Sequence, residues 1–175
     1  MTISDEALML DFQRGSREAF EELYARYRGP LYGFFRRRLD DDRTERAEDL
    51  AQETFLAVIR AIARYRPQAL VKTYLYGIAL NLLSAERRKK TSDSVEETGV
   101  DPAQEGSSET ALWVRQALKE LAPTEREILM LREFEQLSYS EISDLLRLPV
   151  NTVRSRLFRA RMALKERLQP RLNVS

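Results

Sequence analysis

No cysteine and no histidine occur anywhere in the sequence. Their absence excludes disulfides, zinc sites of the Cys/His type and a histidine general base, and it suits a reducing cytosol. Glycine and proline are scarce, six of each in 175 residues, and no strand-like alternation of useful length appears. No apolar run approaches the ~20 residues that cross a bilayer. Residues 1–15 carry acidic side chains where a secretory signal begins with basic ones. The expected location is the cytoplasm, with no direct insertion into a membrane.

Net charge is also small. Charged residues make up 33% of the chain, yet they sum to only +1. The total is therefore silent about polyanionic partners, and only the segregation of charge along the chain can speak. A chain of this length forms one ordinary domain or two small ones, and small ones need tight helix packing.

What is present is helical periodicity almost throughout. Ser4 is placed to cap a helix running to about Arg14, and Ser16 to cap another over residues 17–27, with Phe20, Leu23, Tyr24 and Tyr27 on one stripe. Gly29-Pro30 is expected to break or kink that helix before it resumes over 31–39. Asp40-Asp41-Asp42 reads as a turn. A long helix follows over 44–65, with Leu50, Phe55, Val58, Ile59 and Ile62 at three- and four-residue steps. Arg66-Pro67 stops it, and a further helix is expected over 71–90. Residues 91–109 then hold six acidic side chains and no Lys or Arg, the composition of a flexible, solubilising linker. The predicted organisation is all-α: a helical domain over 1–90, an acidic linker over 91–109 and a second helical domain over 110–175.

The second domain carries the most informative segment, residues 137–163. Ser138 and Glu141 have capping-box spacing, so a short helix opens there with Ile142, Leu145 and Leu146 inward. After a turn, Pro149 begins a final helix to about Leu168, ahead of Pro170, with Val153, Leu157, Ala160, Leu164 and Leu168 in one apolar stripe. Its other face holds Arg154, Ser155, Arg156, Arg159 and Arg161. Residues 149–175 contain seven Lys/Arg and one acidic residue, a local charge of +6 that the whole-chain sum conceals. A solvated face usually mixes signs for i,i+4 pairing, whereas this helix offers no acidic partner before Glu166. An apolar seam with a cationic outer face is what a helix-turn-helix presents to the major groove, where arginine neutralises phosphates and grips guanine O6 and N7.

In the first domain, Glu48, Asp49, Gln52 and Glu53 form an acidic surface opposite Leu50 and Phe55. Taken alone, it reads as a water-facing helix side. The next helix interleaves Lys72, Thr73, Tyr74, Tyr76 and Asn81, then ends in Arg87, Arg88, Lys89 and Lys90. Aromatic, amide and cationic groups in that mixture suit melted or single-stranded DNA, although one of the two tyrosines is expected in the core.

The stretches AEDLAQETF (47–55), YRPQALVKTYLYGIALN (65–81) and NTVRSRLFRAR (151–161) together resemble the extracytoplasmic-function class of bacterial sigma factors. The resemblance covers residues 16–90 and 110–168, the first two stretches falling in that family's region 2 and the third in its region 4. It implies a non-enzymatic transcription initiation factor acting in stress responses. Asp49, Gln52, Glu53 and Phe55 then become core-polymerase residues facing the clamp helices of the largest subunit, with the flap as a second contact. The loop and helix over 66–81, with Lys72, Thr73, Tyr74, Tyr76 and Asn81, would read the −10 element around a flipped base. Arg87, Arg88 and Lys89 would touch nearby phosphates. Asn151, Thr152, Arg154, Ser155, Arg156, Phe158 and Arg159 would meet the −35 element. The resemblance further implies promoter DNA and a cognate anti-sigma factor as partners, a monomer when free of them, and no cofactor or metal. Three positions depart from the family's common pattern: Tyr74 stands for Trp, Asn151 for Gly, and Ala122-Pro123 for Leu-Pro. Two other readings fit parts of the sequence. One is a stand-alone helix-turn-helix regulator; the other is a metal-dependent phosphohydrolase using Asp49 and Glu53, which lie at i,i+4 on one face.

Overall fold

The computed structural model describes residues 1–40, 43–92 and 108–172. Part of the expected acidic turn and nearly all of the acidic linker lie outside the described residues. Eight α-helices are described, with no strand among the described residues: α1 (Asp5–Gln13), α2 (Arg17–Arg38), α3 (Thr44–Ala61), α4 (Val71–Ser92), α5 (Glu109–Lys119), α6 (Pro123–Glu133), α7 (Tyr139–Leu146) and α8 (Val150–Leu172). A 3₁₀ turn, Ile62–Arg64, follows α3. The chain divides into two compact units, Met1–Pro102 and Ala103–Ser175.

In the first unit α2, α3 and α4 pack on one another, and α1 lies against α2 and α4. Ser4 and Ser16 accept from the Ala7 and Ala19 amides at 3.1 and 3.2 Å, so both predicted N-caps form. Of the break or kink expected at Gly29-Pro30, the break does not occur: α2 is one helix of 22 residues that continues through Pro30. An interior proline costs about 3 kcal/mol. Leu31, Phe34 and Phe35, all 0% exposed, lie just beyond it, and each is worth about 1.5–3 kcal/mol when buried. Burial of the second half outweighs the proline. The long helix ends earlier than periodicity suggested, its last turn tightening into the 3₁₀ segment, while Leu50, Phe55 and Val58 join Leu75, Tyr76, Ala79 and Leu83 of α4 in the core.

The second unit is built round α6, whose Ile128, Leu129, Met130 and Leu131 are all buried because α7 and α8 both pack on it. The capping box forms in full: Ser138 Oγ accepts from the Glu141 amide at 3.0 Å and Glu141 Oε1 from the Ser138 amide at 3.2 Å. Arg147 closes α7 in the left-handed conformation, φ 55°, a place glycine usually takes. α8 runs past the expected end near Leu168 to Leu172.

Candidate nucleic-acid and polymerase interface

The outer face of α3 is acidic at first and apolar further on. Glu45, Glu48, Asp49 and Gln52 are exposed, and Glu53 is half-buried with its carboxylate 3.2 Å from Arg46. Continuing the same face at three- and four-residue steps come Leu56, 46% exposed, and Ile59, 42% exposed. Spacing places Ile59 in the core stripe; instead it faces water, as does Leu56, which lies outside that stripe. Phe55 is the converse correction. It is 5% exposed, its ring 4.8 Å from that of Tyr24 and edge-on to Phe20 at 6.2 Å. Phe55 supports the face from beneath and presents almost no surface of its own.

Arg46 is oriented by a second carboxylate. Glu86 of α4, a buried residue, accepts from Arg46 Nε at 3.0 Å and Nη2 at 2.8 Å, and also from Arg43. These hydrogen bonds, that from Arg46 foremost, hold the Glu86 carboxyl at about 2, well below its ordinary value.

Between α3 and α4, residues 66–70 are exposed, whereas the flanking Tyr65 and Val71 are buried. Tyr74 is half-buried and stands edge-on to Tyr65, centroids 5.3 Å apart. Burial raises the pKa of both phenols, and the buried Tyr65 hydroxyl has no hydrogen-bond partner among the described residues. Tyr74, Asn81 and Arg88 recur at seven-residue steps and share one side of α4. Lys72, half-buried, and the exposed Arg87 fall on other flanks, and Lys89 is exposed near the end. Two expected DNA contacts are corrected. Tyr76 is 3% exposed and packs on Phe34 at 5.4 Å, and Thr73 is 9% exposed. Both belong to the core side of the helix.

In the second unit, the Pro149 carbonyl accepts from the Thr152 and Val153 amides at 2.9 and 3.0 Å, starting α8. Val153, Leu157 and Ala160 form its buried seam. Asn151, Arg154, Ser155, Phe158 and Arg159 are exposed, with Thr152 and Arg156 half-buried. Phe158 is 66% exposed, and Met162, one turn further on, 42%. Arg154 is held on two sides: its Nη1 lies 3.4 Å from Asn151 Oδ1, and its guanidinium 5.8 Å from the Tyr139 ring centre. Arg132 approaches the same ring at 5.2 Å.

The arginine face is not wholly without acidic partners, as its own helix suggested. Arg161 pairs with Glu133 at 2.8 Å, a hydrogen bond that raises its pKa, and Arg159 lies 3.8 Å from Glu125. Both acids come from α6, so no scan along α8 could find them. These exposed pairs are weak and leave the cations available to phosphate.

Among the described residues no group of acidic side chains is placed to hold a metal ion, and no helix is long and apolar enough to cross a membrane.

Two helical units, the second built on a helix-turn-helix with a cationic, partly aromatic outer face, define a class of DNA-binding transcription proteins. Comparison with known proteins narrows the class. Residues 23–92 match the family described as sigma-70 region 2, and residues 111–164 that described as sigma-70, region 4. The RNA polymerase sigma-H factor of Pseudomonas aeruginosa is 37% identical, the match covering 96% of this chain and 95% of that one. The ECF RNA polymerase sigma-E factor of Escherichia coli K12 is 30% identical over 96% of each. Among solved structures, the sigma factor RpoE of Bartonella quintana, in complex with the anti-sigma factor NepR, superposes with a TM-score of 0.68 at 25% identity, covering 86% of this chain and 96% of that one. CnrH, solved with the cytosolic domain of CnrY, shares the fold at a TM-score of 0.71 and 24% identity over 95% and 97% of the two chains. The chain belongs to the sigma-70 family, in its extracytoplasmic-function class. It is a transcription initiation factor and not an enzyme.

Proposed function

We propose that this chain confers promoter recognition on core RNA polymerase through three faces. The outer side of α3, with Asp49, Gln52 and Glu53 leading into Leu56 and Ile59, docks on the clamp helices of the largest subunit. Residues 66–70 with Tyr74 and Asn81 read the −10 element, while Arg87, Arg88 and Lys89 follow its phosphates. Asn151, Thr152, Arg154, Ser155, Arg156, Phe158 and Arg159 of α8 read the −35 element in the major groove. On this reading residues 1–90 form the polymerase and −10 domain, 91–109 a linker, and 110–175 the −35 domain, which also meets the flap.

The observation that carries the proposal is the exposed acidic-then-apolar side of α3 in the same chain as the exposed arginine face of α8. A stand-alone regulator needs the second and has no use for the first. The test is run-off transcription with purified core enzyme on a promoter library randomised at −35 and −10. Selective initiation together with core binding supports the proposal. No initiation above core alone and no core binding would sink it, and tight, specific duplex binding by the chain alone would support the stand-alone regulator instead.

Anti-sigma control belongs to the same reading. It is supported by the Bartonella quintana relative, solved with such a partner, and it predicts a host-purified complex in which core binding is blocked. A free, constitutively active protein in the host would count against it.

A further inference from the structure

α1 lies outside the residues 23–92 that match region 2, and its polar side chains reach the loop over 66–70 from both ends. Gln13 Nε2 donates to the Ile62 and Tyr65 carbonyls at 2.9 and 2.8 Å. Glu6 Oε1 accepts from the Val71 amide, the first of α4, at 3.0 Å. The Tyr65 carbonyl, just past the 3₁₀ turn, and the Val71 N–H, where α4 begins, are groups that a helix end leaves unpaired, while the Ile62 carbonyl also accepts from the Tyr65 amide at 3.1 Å. Glu6 and Gln13 are seven residues apart, hence on one side of α1 and about 10 Å apart along its axis. The exposed loop is thus strung between two points fixed by a single rigid helix.

That helix is itself anchored. Leu8 and Met9 are 3% and 1% exposed, and the Phe12 ring lies 4.8 Å from that of Phe20 on α2. Asp5 accepts from Arg26 at 2.7 Å and from the Tyr27 hydroxyl, both on α2. Burial, reinforced by that hydrogen bond, raises the Tyr27 pKa and keeps the hydroxyl a donor. Among the described residues, the loop's backbone bonds are the Gln68 amide donating to the Arg66 carbonyl at 2.8 Å and, at its far end, the Leu70 carbonyl accepting from the Tyr74 amide of α4 at 3.0 Å. The loop's shape therefore depends on the separation of its ends.

We infer that α1 is a brace for the loop over 66–70, with Gln13 and Glu6 as positioning residues that set its conformation for reading the −10 strand. The inference rests on the proposed −10 role of that loop, but the brace can be measured without it. Gln13→Met keeps the unbranched stem and removes both donors. Glu6→Met removes the acceptor, whereas Glu6→Gln keeps an amide oxygen at the same reach and is the rescue variant.

The first measurement is hydrogen exchange on the free full-length chain. Losing these hydrogen bonds is expected to speed exchange of the amides over 65–71 by about fivefold, with the α2 and α3 core amides unchanged and Glu6→Gln near wild type. Unaltered loop exchange in Gln13→Met, or acceleration spread evenly over the unit, overturns the brace. The second measurement gives the functional half. Each variant is assembled with core polymerase and sequenced run-off transcripts are collected from a library randomised at both −10 and −35. Gln13→Met is expected to flatten the −10 base preference about fivefold while −35 preference and core binding stay at wild-type level. Unchanged −10 preference with faster loop exchange overturns the positioning role and leaves the brace standing. If the unsubstituted chain itself selects no −10 sequence, the proposed function fails and the positioning role falls with it, while the exchange result still decides the brace.

Discussion

Glu86 of α4 is 6% exposed and receives the Arg46 guanidinium of α3 in a two-pronged pair, Nη2 to Oε2 at 2.8 Å and Nε to Oε1 at 3.0 Å. Arg46 in turn lies 3.2 Å from Glu53 on the outer face. A buried carboxylate thus fixes the arginine that fixes a surface carboxylate. Glu86→Ala is expected to destabilise the first unit by roughly 3 kcal/mol, at the low end for a broken buried pair because both arginines keep some contact with water. Chemical denaturation followed by circular dichroism measures it. A change below about 1 kcal/mol would mean that the arginines find new partners cheaply.

The same carboxylate gives an acid limb. Its folded pKa of about 2 lies below the 4.5 of the ordinary group. Its contribution is therefore complete above about pH 4.5 and is lost as the pH falls through about 2. Between those values the unfolding free energy of the wild type should fall more steeply than that of Glu86→Gln. Parallel curves would show that Glu86 contributes nothing to the acid transition.

Ser138→Ala removes one half of the capping box and should cost about 1 kcal/mol of second-unit stability. Glu141→Ala should cost a similar amount, and the double variant less than the sum, because the two bonds secure one helix end. Strict additivity in thermal melts would argue against a reciprocal cap.

On α8 the outer side chains should separate by readout. Arg154→Ala is expected to cost about 1–3 kcal/mol in holoenzyme binding to −35 duplex and to relax preference at one base pair. Lys165→Ala, farther along the helix, should leave sequence preference intact. Tyr139→Leu, which removes the ring beside Arg154, should reproduce part of the Arg154→Ala loss in preference, and Tyr139→Phe should not. Equal losses on every sequence for Arg154→Ala would reassign it to a phosphate.

For the first unit, Gln52→Ala and Leu56→Asp change exposed positions on α3, so both should melt within about 0.5 kcal/mol of wild type. Binding to core polymerase, read by competition against a labelled sigma factor, should fall severalfold for either. Retained affinity in both would remove α3 from the interface.

Local chemistry was the legible part. Serine caps act within three residues, and Ser4, Ser16 and Ser138 all formed as their spacing implied. The helix-turn-helix was legible because its seam and its cations lie on one short segment. What escaped depends on which neighbour packs where. Tyr74 and Tyr76 look alike in the chain, but they sit about 200° apart on α4, and only Tyr76 meets Phe34. Ile59 fits an apolar stripe by spacing, yet among the described residues it stays 42% exposed. Glu86 reads as one more charge beside a basic run until Arg46 of α3 and Arg43, just ahead of that helix, meet it. Continuity through Pro30 required weighing a backbone penalty against the burial of residues that follow it.

The exposure of Phe158 and Met162 has a calorimetric consequence. Their apolar surface is hydrated in the free chain, so any partner that covers it must release that water and lower the heat capacity of the complex. The enthalpy of association should then grow more exothermic with rising temperature, and replacing Phe158 by a serine should flatten that slope. A helix face that looks cationic by count would reveal its aromatic member through a temperature series alone.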